Sequence, residues 1–403
     1  METTPQADQS SIAREGGAKR RWVKGVLVIV GVLALITLGT AWYLSGLILD
    51  GAAIKPDTGQ YDKQVVAIDA LTITYHVTQP AEDIPGDDYT LAQVGMQFQD
   101  GKYLLLGQDA KIDGQTITRR YTQLRGERPS VGATAKYDWN SYPDSDVLGL
   151  PRRDVTYDAP LGPTPAVIVD AAQPAGVWAI QIHGRGASIR ETLRNVQALH
   201  DHNVTSMLIN YRDDIREPGA PYEDGVGSFG ATEWPDLQAA VEYARTHGAN
   251  KIILVGYSMG GAITASYLEH GEDTSAIIGT LLDSPAVSFH DMTVWGAEQK
   301  GLSAGLLRPV IWTAERMTEL RSSIDYTASE YIDNASTWPV PAAVVAGTED
   351  NKVPYQAIEE FANALPDGQF LLFDPASHVG EWNYDQQKYD AFVNAWLDEL
   401  LGT

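Results

Sequence analysis

The chain has 403 residues, enough for one large domain or two ordinary ones, and its 44% hydrophobic and 20% charged residues are those of a globular protein. Its 53 acidic residues against 29 basic ones leave a net charge of −24, which argues against binding nucleic acid or anionic headgroups. Cysteine is absent, which excludes disulfides, zinc–thiolate sites and a cysteine nucleophile.

Residues 25–49, GVLVIVGVLALITLGTAWYLSGLIL, carry no charge. As a helix they would span about 37 Å, enough to cross a ~30 Å hydrocarbon core with some tilt. Trp22 before the span, and Trp42 and Tyr43 near its other end, stand where interfacial aromatics do. Arg14, Lys19, Arg20, Arg21 and Lys24 precede it, whereas only Lys55 and Lys63 closely follow. The pattern predicts a single-pass signal anchor with residues 1–24 cytoplasmic and everything after Asp50 outside. A cleaved signal peptide is the alternative, although its apolar region would be shorter.

Residues 50–150 are expected to form a polar tether at 51–60, then a small β-rich segment from Gln64 to about Gln123. Near-alternation in VVAIDALTITYHV and the turn pairs Asp100-Gly101 and Asp113-Gly114 support this. A loop rich in Pro, Ser, Asp and Gly is expected over about 126–151. No chemistry is apparent in this segment.

After Pro151 the pattern changes. DVTYDAPLGPTPAVIVDA reads as a hairpin. Six apolar runs follow, each trailed by helix-compatible sequence: GVWAIQIHG, VTSMLINY, KIILVGYS, IGTLLDSPA, VPAAVVAGTED and GQFLLFDPASH. Such runs are the mark of parallel strands buried on both faces, hence a doubly wound, mostly parallel α/β sheet over 151–403. Tyr389, Phe392, Val393, Trp396, Leu397 and Leu400 recur at helical spacing and are expected in the core. In such a sheet, catalytic groups should follow the C-terminal ends of the strands.

Ser258 stands in Gly-Tyr-Ser-Met-Gly at the end of KIILVG, the G-x-S-x-G nucleophile elbow. Gly256 and Gly260 leave room where strand and helix nearly touch. A serine needs a base, and of the eight histidines only His378 follows the last strand. The base needs a carboxylate. Asp350, after the seventh strand counting the hairpin as two, is the candidate; its rivals are Glu349, Asp283 after the sixth strand, and Asp374. The order Ser258, Asp350, His378 is that of this architecture. The oxyanion donors expected are the backbone N–H groups of Met259 and of Arg185, in HGRGAS. His183 is expected to be structural. His200-Asp201-His202 offers no metal site, because near neighbours on a helix point apart.

The stretches IHGRGAS, NYRDD, TEWPDLQAAVEYA, GYSMGGA, GTEDNKVP and SHVGEWN resemble the α/β-hydrolase superfamily, from about Asp154 to the C-terminus. They are most similar to membrane-anchored and exported serine hydrolases and to the esterase, lipase and acyl-peptidase branches. The resemblance implies an acyl-enzyme mechanism without cofactor or metal. It also implies that the insertion at 287–337 caps the site; HGRG is not the longer HGGG of many esterases. The expected activity is hydrolysis of a small-molecule or lipid carboxylic ester. The alternatives are a serine peptidase or thioesterase of the same fold, and a catalytically idle, membrane-anchored binding protein.

Overall fold

The computed structural model describes residues 9–55, 59–77 and 92–403. It opens with helix α1 (Gln9–Ala52). Six strands follow among the described residues: β1 (Lys63–Ile68), β2 (Thr72–His76), β3 (Val94–Phe98), β4 (Tyr103–Asp113), β5 (Thr116–Arg125) and β6 (Thr134–Asp138). They close into a barrel in the order β1-β2-β5-β4-β3-β6. Alternation along the strands turns Val65, Ile73, Tyr75, Met96, Leu104 and Ile117 into one buried cluster. Gly101 and Gly114 complete the two Asp-Gly turns with φ of 83° and 57°, values that favour glycine.

Two expectations for this region change. Strand β6 lies within the stretch read as a loop, because pairing with both β1 and β3 closes the barrel through only five residues. The expected tether at 51–60 begins inside α1, and Ile54 then donates its N–H to the Gly225 carbonyl at 2.8 Å.

The larger sheet has eight strands: β7 (Arg152–Ala159), β8 (Gly162–Val169), β9 (Val177–Ile182), β10 (Thr205–Ile209), β11 (Lys251–Tyr257), β12 (Ile277–Asp283), β13 (Ala342–Gly347) and β14 (Gly368–Phe373). The order is β14-β13-β12-β11-β9-β10-β8-β7. The hairpin β7–β8 is antiparallel to its neighbours, and β9 to β14 run parallel, as their doubly apolar runs predict. The helices are α2 (Val196–Asp201), α3 (Trp234–Thr246), α4 (Met259–His270), α5 (Phe289–Glu298), α6 (Ala304–Glu319), α7 (Tyr355–Ala364), α8 (Glu381–Tyr384) and α9 (Gln386–Leu401). Tyr389, Val393, Trp396 and Leu397 of α9 join the core of Ile253, Val255, Leu281 and Val345. Strand β9 pairs with β10 on one side and β11 on the other, so connections leave the sheet in opposite directions here and open a crevice beyond the strand ends.

Residues 1–51 and 302–322 form one compact unit, and 52–301 with 323–403 another. The stretch 287–337 is divided between them: α5 belongs to the sheet-bearing unit and α6 to the unit of α1. Within that smaller unit, Thr318 donates to Ser45 Oγ at 3.1 Å and Arg321 to the same oxygen at 2.9 Å. The Arg321 guanidinium also lies 4.2 Å from the Trp42 ring centroid. These pairs run in opposite directions, so α6 packs antiparallel to the end of α1. Ala41 and Ser45 are buried there, while Leu27, Ile36 and the other large apolar residues before position 41 stand exposed.

In the larger unit the barrel meets the sheet through Asn383 of α8. Its side-chain amide donates to the carbonyls of Gln93 (3.0 Å) and Trp139 (3.1 Å), both half-buried, and to Ser141 Oγ (2.8 Å); Asn383 and Ser141 are themselves fully buried. Asn383→Ala leaves those acceptors bare and should lower stability by about 1–3 kcal/mol in denaturant titration. A loss within error of zero would show that water replaces the amide.

Candidate active site

Strand β11 ends at Tyr257 and α4 starts at Met259, so the whole turn falls on Ser258, with φ 51° and ψ −115°. Such a backbone is rare outside glycine. Its neighbours must give way: a Cβ at Gly256 would lie 2.6 Å from the Gly260 carbonyl oxygen, and one at Gly260 would strike the Ile182 carbonyl. Backbone bonds hold the hinge, with Ser258 N–H donating to the Asp283 carbonyl at 2.9 Å and Ala286 N–H to the Ser258 carbonyl at 3.0 Å.

His378, on the loop between β14 and α8, places Nε2 2.8 Å from Ser258 Oγ. Its Nδ1 lies 2.7 Å from Asp350 Oδ2. Asp350, buried just after β13, is oriented by the Lys352 and Val353 N–H groups, which donate to its other oxygen at 2.7 and 2.9 Å. With Nδ1 donating to Asp350, Nε2 is left to accept the serine proton. Burial disfavours the His378 imidazolium. The Asp350 charge and hydrogen bond, with the Glu191 and Asp283 charges, outweigh this and raise its pKa.

The structure thus brings Ser258, His378 and Asp350 together and leaves their rivals aside. Glu349 is exposed, and Asp374, also exposed, accepts from Thr348 Oγ1 at 2.8 Å. Asp283 is fully buried and accepts from the Tyr389 hydroxyl at 2.9 Å. His183 stacks on Tyr211 and holds Nε2 3.0 Å from Asp214 Oδ2, inside the fold. His200 contacts the Asp170 carbonyl, while His202 reaches Asp398.

Gly184 packs against the serine, for a Cβ there would sit 3.1 Å from that of Ser258. Arg185 is the next residue, so its N–H belongs to the loop that packs against Ser258. Met259 is the first residue of α4, where an N–H has no partner within the helix. The Met259 sulfur and Arg185 Cδ converge on Gly227, where a Cβ would meet them at 2.8 and 2.9 Å. Burial lowers the Arg185 pKa, and its Nη1 donates to the Ala53 carbonyl at 3.2 Å.

Sequence reasoning missed the residues that brace these loops. Glu191 accepts the Gly184 N–H at 2.6 Å and so fixes the glycine-rich loop. In sequence, Ser188-Ile189-Arg190-Glu191 looks only like a helix capping box. Arg194 donates to the Val379 carbonyl at 2.7 Å, beside His378. Glu381 accepts from Ser284 Oγ at 2.7 Å. A cavity of about 540 Å³ lined by Gln93, Gln108, Asp385, Gln386, Gln387 and Asp390 lies away from the serine.

Against known proteins, the model of the prolyl oligopeptidase family matches residues 191–403. The chain belongs to this family. Its reach begins at Glu191 and takes in the serine, the aspartate and the histidine. With the observed sheet, membership makes the chain a serine hydrolase of the α/β-hydrolase fold. A protein named YfhR from Salmonella typhi is 24% identical over 292 residues, 66% of this chain and 88% of that protein. YfhR of Escherichia coli K12 is 24% identical over 226 residues, 54% and 70% of the two chains. Among solved structures, an esterase of Pyrococcus furiosus has 16% identity and a TM-score of 0.48, covering 63% of this chain and 93% of its own. One described as a putative aryl esterase of Burkholderia cenocepacia has 20% identity and a TM-score of 0.44, covering 62% and 100%.

The raised pKa of His378 has a kinetic consequence. A base that must be neutral to accept the serine proton stays protonated to higher pH than an ordinary histidine. Fluorophosphonate labelling of Ser258 should therefore rise with pH through a midpoint above about 6.5. Asp350→Asn should lower the plateau by roughly 10⁴-fold through the wrong tautomer. A rate flat from pH 5 to 8 would rule out the histidine as base.

Proposed function

We propose that the protein hydrolyses carboxylic esters through an acyl-enzyme on Ser258. His378 is the general base and then the acid, Asp350 orients it, and the N–H groups of Met259 and Arg185 receive the oxyanion. The observation that carries this reading is the unbroken path from Asp350 through His378 to a serine held on a strained hinge. An idle binding protein has no need of that strain or that alignment. Substrate is a small-molecule or lipid ester, with no metal or cofactor in any step.

In the forward direction Ser258 Oγ attacks the carbonyl carbon as its proton passes to His378 Nε2. The tetrahedral oxyanion collapses, the C–O bond to the leaving alkoxide breaks, and the imidazolium protonates it. Water then repeats the sequence on the acyl-serine, releasing the acid. A serine peptidase is the second reading, favoured by the family to which the chain belongs. Against it stands the N-terminal module, a closed six-stranded barrel rather than a propeller gate. Turnover on a matched panel of ester, thioester and peptide substrates decides between them. Ester hydrolysis should dominate, and Ser258→Ala should reduce it by roughly 10⁴–10⁶-fold. Preferential peptide cleavage would favour the second reading, and a variant keeping a tenth of the rate would point to another nucleophile.

We further propose that α1 anchors the enzyme with the N-terminus cytoplasmic and the hydrolase outside. Support comes from Trp22–Ala52, a stretch apolar and long enough to cross a bilayer, and from the basic residues that precede it. Trp22 and Trp42 are separated by twenty residues, or about 30 Å of helix, the thickness of a hydrocarbon core. The chain has no cysteine, so single reporters are clean. In intact cells an impermeant maleimide should label Thr403→Cys and spare Thr3→Cys, and the reverse pattern would invert the topology.

A further inference from the structure

Beneath His378 lies a second pair of acids that the reaction does not use. Asp283 ends β12 and Glu381 begins α8, and both side chains are inaccessible to water. One oxygen of each is satisfied: Asp283 Oδ2 accepts from the Tyr389 hydroxyl at 2.9 Å, and Glu381 Oε1 from Ser284 Oγ at 2.7 Å. The remaining oxygens, Asp283 Oδ1 and Glu381 Oε2, are buried without a hydrogen-bond donor, and the two carboxyl groups are neighbours, the Asp283 charge bearing directly on Glu381. Two carboxylate oxygens can bond only through a proton.

The same contact ties down the histidine loop. Ser284 Oγ both donates to Glu381 and accepts the Val379 N–H at 3.1 Å. Ser284 and Val379 have φ of 45° and 53°, a region that a β-branched valine rarely enters without support. Val379 adjoins His378.

We propose that Asp283 and Glu381 share one proton, and that this proton pins the loop bearing His378 to the end of β12. Glu381 is thus a positioning residue for the hydrolysis, and the role rests on the triad reading above. Other groups face the pair from every side. Arg194 balances the remaining single negative charge from the segment before α2, Glu191 adds a negative charge from that same segment, and Tyr257, Tyr389 and His378 close the site. Two charges would overload the one arginine, which already gives a hydrogen bond to the Val379 carbonyl. Burial, and the Asp283 charge beside it, push the Glu381 carboxyl well above the usual range.

The sign of the linkage makes the proton measurable. Unfolded, Glu381 loses its proton near the ordinary value of about 4.3. Folded, it keeps it, so the stabilisation is fully present below that value and is lost as pH rises through the folded pKa. Glu381→Gln supplies an amide donor to Asp283 and a carbonyl for Ser284 at every pH. The experiment measures unfolding of the full-length protein in detergent, together with the rate at which a fluorophosphonate labels Ser258. From about pH 5 upward, the folding constant of the wild type should fall relative to Glu381→Gln by up to tenfold per pH unit. Glu381→Gln should label at close to the wild-type rate, and Glu381→Ala roughly 10²-fold more slowly, as a displaced base would.

Parallel stability profiles would overturn the shared proton. Labelling of Glu381→Gln as slow as that of Glu381→Ala would overturn the positioning role. Should Glu381→Ala fail to fold, the comparison of wild type with Glu381→Gln still decides. A wild type that does not label at all would count against the triad reading, while the stability comparison, which needs no substrate, still judges the proton.

Discussion

Helix α4 starts so close to the end of β9 that a single Cβ at position 260 would collide with the Ile182 carbonyl oxygen. Strand β11 lies directly beside β9, so the chain has one residue in which to turn from one element into the other. That residue is Ser258, at φ 51°. A non-glycine backbone there costs on the order of 1–3 kcal/mol and persists only where its surroundings leave no alternative. The surroundings are the neighbouring strand end, which receives the Ser258 N–H, and the first turn of α4, whose Gly261 N–H bonds the Ser258 carbonyl at 2.9 Å. Strain at the serine is thus a product of sheet order, and it lifts Oγ clear of the sheet toward His378.

The rest of the site is a problem in holding negative charge away from water. Asp350, Asp283, Glu381, Glu233 and Asp214 are all buried in a chain whose surface is already acidic. Each has a distinct remedy. Asp350 takes two backbone N–H groups and the histidine; Asp214 takes His183. Glu233 receives the Gly230 N–H at 3.0 Å and the Ser228 N–H at 2.7 Å, although burial still raises its pKa. Unpaired buried charge is expensive enough that such groups are neutralised or bonded. Two buried carboxylates at the ends of neighbouring strands are told apart here by what they touch. Asp283 ends one parallel strand and Asp350 follows the next, but only the turn after β13 aims its carboxylate at His378.

That distinction explains how much of the molecule was legible beforehand. Ser258, His378 and Asp350 could be read because each follows an apolar run, and runs buried on both faces carry their own period. The six parallel strands were visible for the same reason. Strand β6 was not, because a five-residue strand with two buried positions carries no period that a loop could not imitate. Nor could Ser45 be matched to Thr318 and Arg321, or Asp283 to Glu381, since such pairs meet only through the tertiary fold. Glu191 had a local signal, a capping box, but its side chain turns instead to Gly184. Local pattern names the elements and the residues at their ends. It does not name the partners.

The barrel and the large sheet meet at α8. A four-residue helix cannot sustain itself, since nucleating a turn fixes more dihedral angles than its bonds repay. Its conformation must be imposed from outside. On the inner side, Glu381 accepts from Ser284, the residue that follows Asp283. On the outer side, Asn383 meets the carbonyls of Gln93 and Trp139, while the Trp139 ring lies so near Gly380 that a Cβ there would fall 2.7 Å from it. His378 stands immediately before this clamped segment. A barrel held from one flank and a strand end held from the other leave the imidazole little freedom to drift from Ser258. The barrel therefore braces, from the flank opposite β12, the short segment that follows His378.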